Sequence, residues 1–156
     1  DTIGYQVKSS WQTIVKMYNR LTIEHDFSQA EGYVLISIKK DGIPVTKIAP
    51  LMGIEPTSLS RLLKTMEEKG LIMRKPNPLD GRGVIIHLTP FGQEMREFSK
   101  TVVLGFDDAV KKSVSEEELR VFKGVANTIL ELINNKKIRT SNTTTITMNT
   151  QAPSTA

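Results

Sequence analysis

A chain of 156 residues has the length of one compact domain, and its cysteine count of zero excludes a disulfide framework, a thiolate metal site, a catalytic cysteine and a thiol-based peroxide sensor. Lys and Arg number 21 against 17 Asp and Glu, a formal charge of +4, which permits an anionic partner without demanding one. No apolar run approaches the roughly 18 residues of a membrane span, and no charged-then-apolar export pattern opens the chain, so it reads as a soluble cytoplasmic protein with no membrane partner. The missing initial Met points to a processed or trimmed start.

From the N-terminus, Val7, Trp11, Ile14, Tyr18 and Leu21 recur at alternating steps of four and three, the spacing of an apolar seam on a helix that runs to about Glu24. Ser28-Gln29-Ala30-Glu31 has the form of a capping box and opens a second helix, ending near Lys39 before the turn Asp41-Gly42-Ile43-Pro44. Thr46 is expected to cap a short third helix, Lys47 to Met52, stopped by Gly53. Pro50 fits only near a first turn, so this helix is expected to be short or irregular at its start. Pro56 opens a fourth helix and Gly70 stops it.

After Gly70 the period changes. Leu71 to Lys75 and Val84 to Leu88 are strand-like runs flanking Pro76 to Gly83, a segment rich in turn formers, which predicts a two-stranded hairpin with a long loop. Thr89-Pro90 then reads as a cap with a first-turn proline, and Phe91, Met95, Phe98, Val102, Phe106 and Ala109 form the seam of a long helix. Ser115 with Glu118 is another capping box, after which Leu119, Phe122, Ala126, Ile129 and Ile133 carry a last helix to about Asn135. Thr140 to Ala156 is almost devoid of large apolar side chains and reads as a flexible tail, with Thr145-Ile146-Thr147 as a minor β-like addition.

The centre of this order is a helix-turn-helix followed by a wing. At about 100° per residue, Leu59, Leu62, Leu63 and Met66 fall on one arc of the fourth helix while Thr57, Ser60, Arg61 and Lys64 point the other way. That outer face lies in the N-terminal half of the helix, the half a recognition helix presents to the major groove. Arg61 is the side chain able to grip guanine bidentately, and Thr57, Ser58, Ser60 and Lys64 suit phosphates or weaker base contacts. Arg74 and Lys75 add a basic pair on the first wing strand. Between Ile43 and Thr89, Lys and Arg number seven and Asp and Glu four, so +3 of the chain's +4 sits on this segment. Charge alone fits ordinary solvated side chains equally well.

Ile48 to Gly53, Leu59-Ser60-Arg61-Leu62-Leu63, Met66 to Ile72, and Asp80-Gly81-Arg82 with Leu88-Thr89 together resemble the MarR family of bacterial transcriptional regulators, over nearly everything from Val7 to Asn135. The resemblance implies a mainly α fold with a small β-hairpin wing: a winged helix-turn-helix domain plus N- and C-terminal dimerisation helices. Residues 1–139 then form the fold, with dimerisation helices at about 5–24 and 90–135 and the winged domain at about 28–89, and 140–156 is the tail. It also implies that recognition helix 56–69 and wing 72–88 bind double-stranded DNA, that Arg82 enters the minor groove, and that Asp80 positions it. A narrow minor groove attracts an Arg on a loop tip, and a nearby carboxylate pre-orients a guanidinium; in isolation the same pair would be a surface ion pair worth about 0 to 1 kcal/mol. Two residues depart from the pattern. Glu55 stands where relatives often cap the recognition helix with Ser or Thr, and Pro50 lies inside the preceding helix; a carboxylate suits a helix N-terminus but repels phosphate, which implies moderate DNA affinity.

The resemblance further implies a ligand-responsive homodimeric repressor on a pseudo-palindromic operator, with Val7, Trp11, Phe122, Ile129 and Ile133 in or near the subunit interface. An effector site for a small aromatic or anionic compound is implied between the dimerisation helices and the winged domain, with Tyr33, Trp11 and Met17 as candidate lining residues that would otherwise be core. No cofactor is implied. Enzyme readings find no glycine-rich phosphate loop, nucleophile elbow or carboxylate–His cluster. Glu24, His25 and Asp26 are adjacent and seldom converge on one metal ion. The alternative from another class is a winged-helix protein–protein interaction module without sequence-specific DNA binding.

Overall fold

The computed structural model describes residues 2–135; the stretch from Thr140, read above as a tail, lies outside the described residues. The chain divides into two compact units, Asp1–Phe106 and Asp107–Ala156. The first begins with α1, Ile3–Thr22, whose start is closed by the Thr2 hydroxyl accepting from the Tyr5 N–H at 3.2 Å. Of its apolar seam, Ile14 and Tyr18 are half-buried while Val7, Trp11 and Leu21 stay exposed. A tighter turn, Ile23–His25, ends at Asp26 in the left-handed region.

Helix α2, Gln29–Ser37, starts at the expected capping box: the Glu31 carboxylate accepts from the Ser28 N–H at 2.6 Å, and the Ser28 hydroxyl accepts from the Glu31 N–H at 3.3 Å. It ends two residues short of Lys39. The segment read as a plain turn contains a strand instead: β1, Ile43–Pro44, pairs antiparallel with Ile85 and Ile86. Proline is tolerated there because β1 is an edge strand. Helix α3, Val45–Met52, begins directly after Pro44, so Thr46 lies inside it and does not cap it. Pro50 sits within the helix with no N–H for the Thr46 carbonyl, on a solvent-exposed face where water can take that role. Helix α4, Pro56–Glu68, follows, and the chain leaves α3 and α4 through Gly53 and Gly70, both at positive φ.

The wing is β2, Ile72–Asn77, against β3, Asp80–Leu88, giving a sheet in the order β1-β3-β2. The long loop expected from the turn formers is not there. Pairing continues through Pro76↔Val84 to Asn77↔Asp80 with a register shift beside Asn77, so only Pro78 and Leu79 form the turn. The core lies between helices and sheet: Val34, Leu35 and Ile38 from α2 and its end, Ile48 from α3, Leu59, Leu63 and Met66 from α4, and Leu71, Ile72 and Ile86 from the wing base are buried. Each such side chain contributes about 1.5–3 kcal/mol relative to exposure.

Helix α5, Pro90–Ser113, crosses the division between the units. The Thr89 hydroxyl caps it, accepting from the Gly92 N–H at 2.9 Å while donating to the Gly70 carbonyl at 2.5 Å. One threonine thus ends the wing, caps α5 and ties both to the end of α4. In the second unit, α6, Glu116–Asn134, starts at the Ser115–Glu118 capping box and buries none of its side chains fully. The molecule is therefore mainly α with a small sheet serving as a wing.

Candidate nucleic-acid interface

Helix α4 presents Thr57, Ser58, Ser60, Arg61 and Lys64 to solvent while Leu59, Leu63 and Met66 are buried and Leu62 half-buried. The hydroxyl of Ser60 donates to the Pro56 carbonyl at 3.0 Å, which leaves it accepting lone pairs. Glu55 occupies the N-cap without a side-chain bond to the helix, so the free N–H groups of the first turn remain open to an anion. Arg61 makes no ion pair among the described residues and is free to reach outward.

The seven cations of this region are not equivalent. Lys69 places its ammonium 3.0 Å from Glu31 Oε1 and 3.2 Å from Oε2, with the Glu31 side chain only 4% exposed, so it neutralises a buried capping carboxylate. Arg74 donates from Nε to Glu67 at 3.1 Å and ties β2 to α4. Lys64 lies 3.9 Å from Glu68, a loose exposed pair worth at most about 0.5 kcal/mol. Lys47, Arg61, Lys75 and Arg82 have no ion-pair partner among the described residues, and all four are exposed. The excess charge counted in the sequence is thus partly spent inside the fold, and the outward-facing part is confined to α3, α4 and the wing.

At the wing, the Asp80 carboxylate accepts from the Arg82 backbone N–H at 3.1 Å and forms no ion pair with its guanidinium among the described residues. The Asn77 amide oxygen accepts from the Leu79 N–H at 3.0 Å. Both are local side-chain-to-backbone turns. Gly83 lets these side chains close in, since a Cβ there would lie 3.0 Å from Asn77 Cβ and 3.3 Å from Asp80 Oδ2. Asp80 therefore orients the backbone that carries Arg82 and leaves the guanidinium unpaired. Arg82 thus lies on the first residues of β3 and not on a loop tip, because pairing runs up to Asn77↔Asp80, and the carboxylate that fixes the strand's start does not neutralise the charge two residues on.

A second feature of the first unit is an apolar cavity of about 190 Å³ lined from α1, α2 and α5. Of the three candidate lining residues, which read otherwise as core, Trp11 and Tyr33 border this cavity and Met17 does not. Tyr18 and Phe106 meet edge-to-face in its wall at a centroid distance of 6.0 Å. The lining carries no charged side chain, and the buried Ser99 hydroxyl on it has no hydrogen-bond partner among the described residues. Val102 and Phe106 were legible only as part of the α5 seam, and nothing in the sequence reading singled out Ile36 or Ser99.

Residues 27–84, from the start of α2 into the wing, match the model of the MarR family. The uncharacterized HTH-type transcriptional regulator YdgJ of Bacillus subtilis is 32% identical over 95 residues, covering 61% of this chain and 58% of that protein, so the match spans little more than half of its length. An organic hydroperoxide resistance transcriptional regulator of the same organism is 26% identical over 132 residues, covering 82% of this chain and 86% of that protein. Among solved structures, S. aureus MepR in complex with DNA superposes with a TM-score of 0.77 over 84% of this chain and 98% of that one, at 22% identity, and so shares the fold. The helix-turn-helix and the start of the wing, with Asp80-Gly81-Arg82 opening β3, thus lie in the segment that is similar to the MarR family model, and the chain shares the winged helix-turn-helix fold of MepR.

Proposed function

We propose that the protein is a homodimeric, ligand-responsive repressor that binds a pseudo-palindromic operator through α4 and the wing. The observation that carries this reading is the pair of exposed, unpaired guanidinium groups, Arg61 on the outer face of α4 and Arg82 beside the wing turn, on a segment whose other cations are partly neutralised internally. In this reading Arg61 reads a base edge in the major groove, Thr57, Ser58, Ser60 and Lys64 hold phosphates, and Arg82 enters the adjacent minor groove from the start of β3, whose backbone Asp80 fixes. Lys75 meets the backbone, and Arg74, held by Glu67, positions the wing against α4.

Val7, Trp11, Phe122 and Ile133 are 45 to 69% exposed and Ile129 is half-buried. Apolar faces of that kind on α1 and α6 support a subunit interface. The apolar cavity supports an effector site, and its uncharged lining favours a compact neutral aromatic molecule over an anion. With no cysteine, the chain has no thiol through which to respond to a hydroperoxide.

Selection of bound fragments from genomic DNA by the purified protein tests the reading. It should recover inverted half-sites about one helical turn apart. In binding to the recovered site, Arg61→Ala is expected to cost about tenfold or more and to flatten the preference at one base pair. Arg82→Ala is expected to lower affinity across sequences. Recovery of random fragments, or wild-type binding by both variants, would overturn it.

A further inference from the structure

We propose that Leu79, on the wing turn, selects A·T over G·C base pairs in the minor groove beside each half-site by excluding the exocyclic amine of guanine. The inference rests on the wing lying in the minor groove, as proposed above, and adds a second reader beside Arg82. Leu79 is 94% exposed, more than any other large apolar side chain among the described residues. Pairing of β2 with β3 runs up to Asn77↔Asp80, so Leu79 stands with Pro78 at the outer end of the wing. Two features hold it there. The Asn77 amide oxygen accepts from the Leu79 N–H at 3.0 Å, and the ring of Pro78 holds its own φ at about −65°. The side chain is thus presented on a backbone with little freedom left to lose on binding.

Arg82 follows three residues later, at most about 10 Å along the chain, which matches about three base-pair steps of roughly 3.4 Å. Gly81 and Gly83 carry no side chain, so Leu79 and Arg82 are the two long side chains at this end of the wing. The side-chain acceptors beside the turn already take backbone N–H groups: Asn77 that of Leu79, and Asp80 that of Arg82 at 3.1 Å.

In the minor groove an A·T pair shows the acceptors adenine N3 and thymine O2, and a G·C pair adds the N2 amine of guanine, a donor. A guanidinium has donors and no acceptor, and an alkyl side chain has neither. Against A·T, Arg82 donates to N3 or O2 while Leu79 packs on the adenine C2–H, carbon on carbon. Against G·C, Leu79 takes the water from the amine and returns no acceptor, which is costly. The pair of side chains therefore fits one base-pair type and penalises the other.

The test measures binding of the full chain to the genomic duplex it holds most tightly, with the base pairs flanking each half-site changed one at a time to A·T, G·C or inosine·cytosine. The last keeps the major-groove face of G·C and lacks the guanine amine. At one or two flanking positions the wild type should bind A·T and inosine·cytosine alike and G·C about tenfold more weakly. Leu79→Asn, whose amide oxygen accepts from the amine, and Leu79→Ala, which no longer covers it, should narrow that ratio to about twofold. Both variants should keep the wild-type thermal midpoint, since Leu79 packs on nothing in the fold. The proposal is overturned if inosine·cytosine binds as weakly as G·C at every position, if both variants keep the wild-type ratio, or if their midpoints fall. A wild type that binds no duplex at all overturns the DNA reading itself, and this proposal with it.

Discussion

Arg61 and Arg82 differ from Lys69 and Arg74 in a way no count of charges reveals: the first two end in solvent, the second two in carboxylates of their own fold. For Lys69 the partner is buried, and removing the ammonium strands the Glu31 carboxylate beneath it. Lys69→Met is accordingly expected to destabilise the first unit by about 2–4 kcal/mol in chemical denaturation, the lower end reflecting the lysine's partial exposure. An unchanged midpoint would show that the pair is dispensable. Gly92 carries a different burden. A Cβ at that position would lie 1.8 Å from the Leu71 carbonyl oxygen, an approach that backbone on both sides prevents from relaxing. Gly92→Ala should therefore cost about 3 kcal/mol or more, and a loss under 1 kcal/mol would mean that α5 can shift freely.

Elements whose signals are local were legible in the sequence. Ser28 with Glu31 and Ser115 with Glu118 form the capping boxes read from their spacing, and Gly53 and Gly70 end their helices at positive φ. β1 was not legible, because two residues have no period and Ile43–Pro44 becomes a strand only through Ile85 and Ile86, some forty residues later. The wing turn was misjudged for a related reason: Pro76, Asn77, Asp80 and Gly81 are turn formers by type, yet the first two pair with Val84 and Asp80 across a register shift. Composition hid a tight hairpin. The α6 cap yields a pH prediction. The Ser115 N–H and hydroxyl, both 2.8 Å from Glu118 Oε2, hold that carboxyl below its ordinary value of 4.5. A lowered value means the cap's contribution is complete above the ordinary carboxylate range and is lost as pH falls through the lowered one. Carboxyl resonances should show the Glu118 midpoint rising in Ser115→Ala, and an identical midpoint would remove the cap from the account.

At the scale of the whole molecule, the candidate DNA surface was legible because α4 is amphipathic and its two faces carry different chemistry. The full lining of the apolar cavity was not, since its walls come from three helices far apart in the chain. The proposed dimer makes a direct prediction: Phe122→Asp with Ile133→Asp would remove apolar area from an interface that needs about 1,200 Å² or more for stability, and should shift the mass in solution from two copies to one. A dimer that survives both changes would place the interface elsewhere. The central claim, that exposed guanidinium groups on α4 and the wing neutralise phosphates and read bases, is tested most directly by the salt dependence of duplex binding. The logarithm of the association constant should fall linearly with the logarithm of salt concentration, with a slope on the order of −4 or steeper that Arg82→Ala reduces by about 1. A flat response would contradict the claim and leave the winged helix as a surface for another protein.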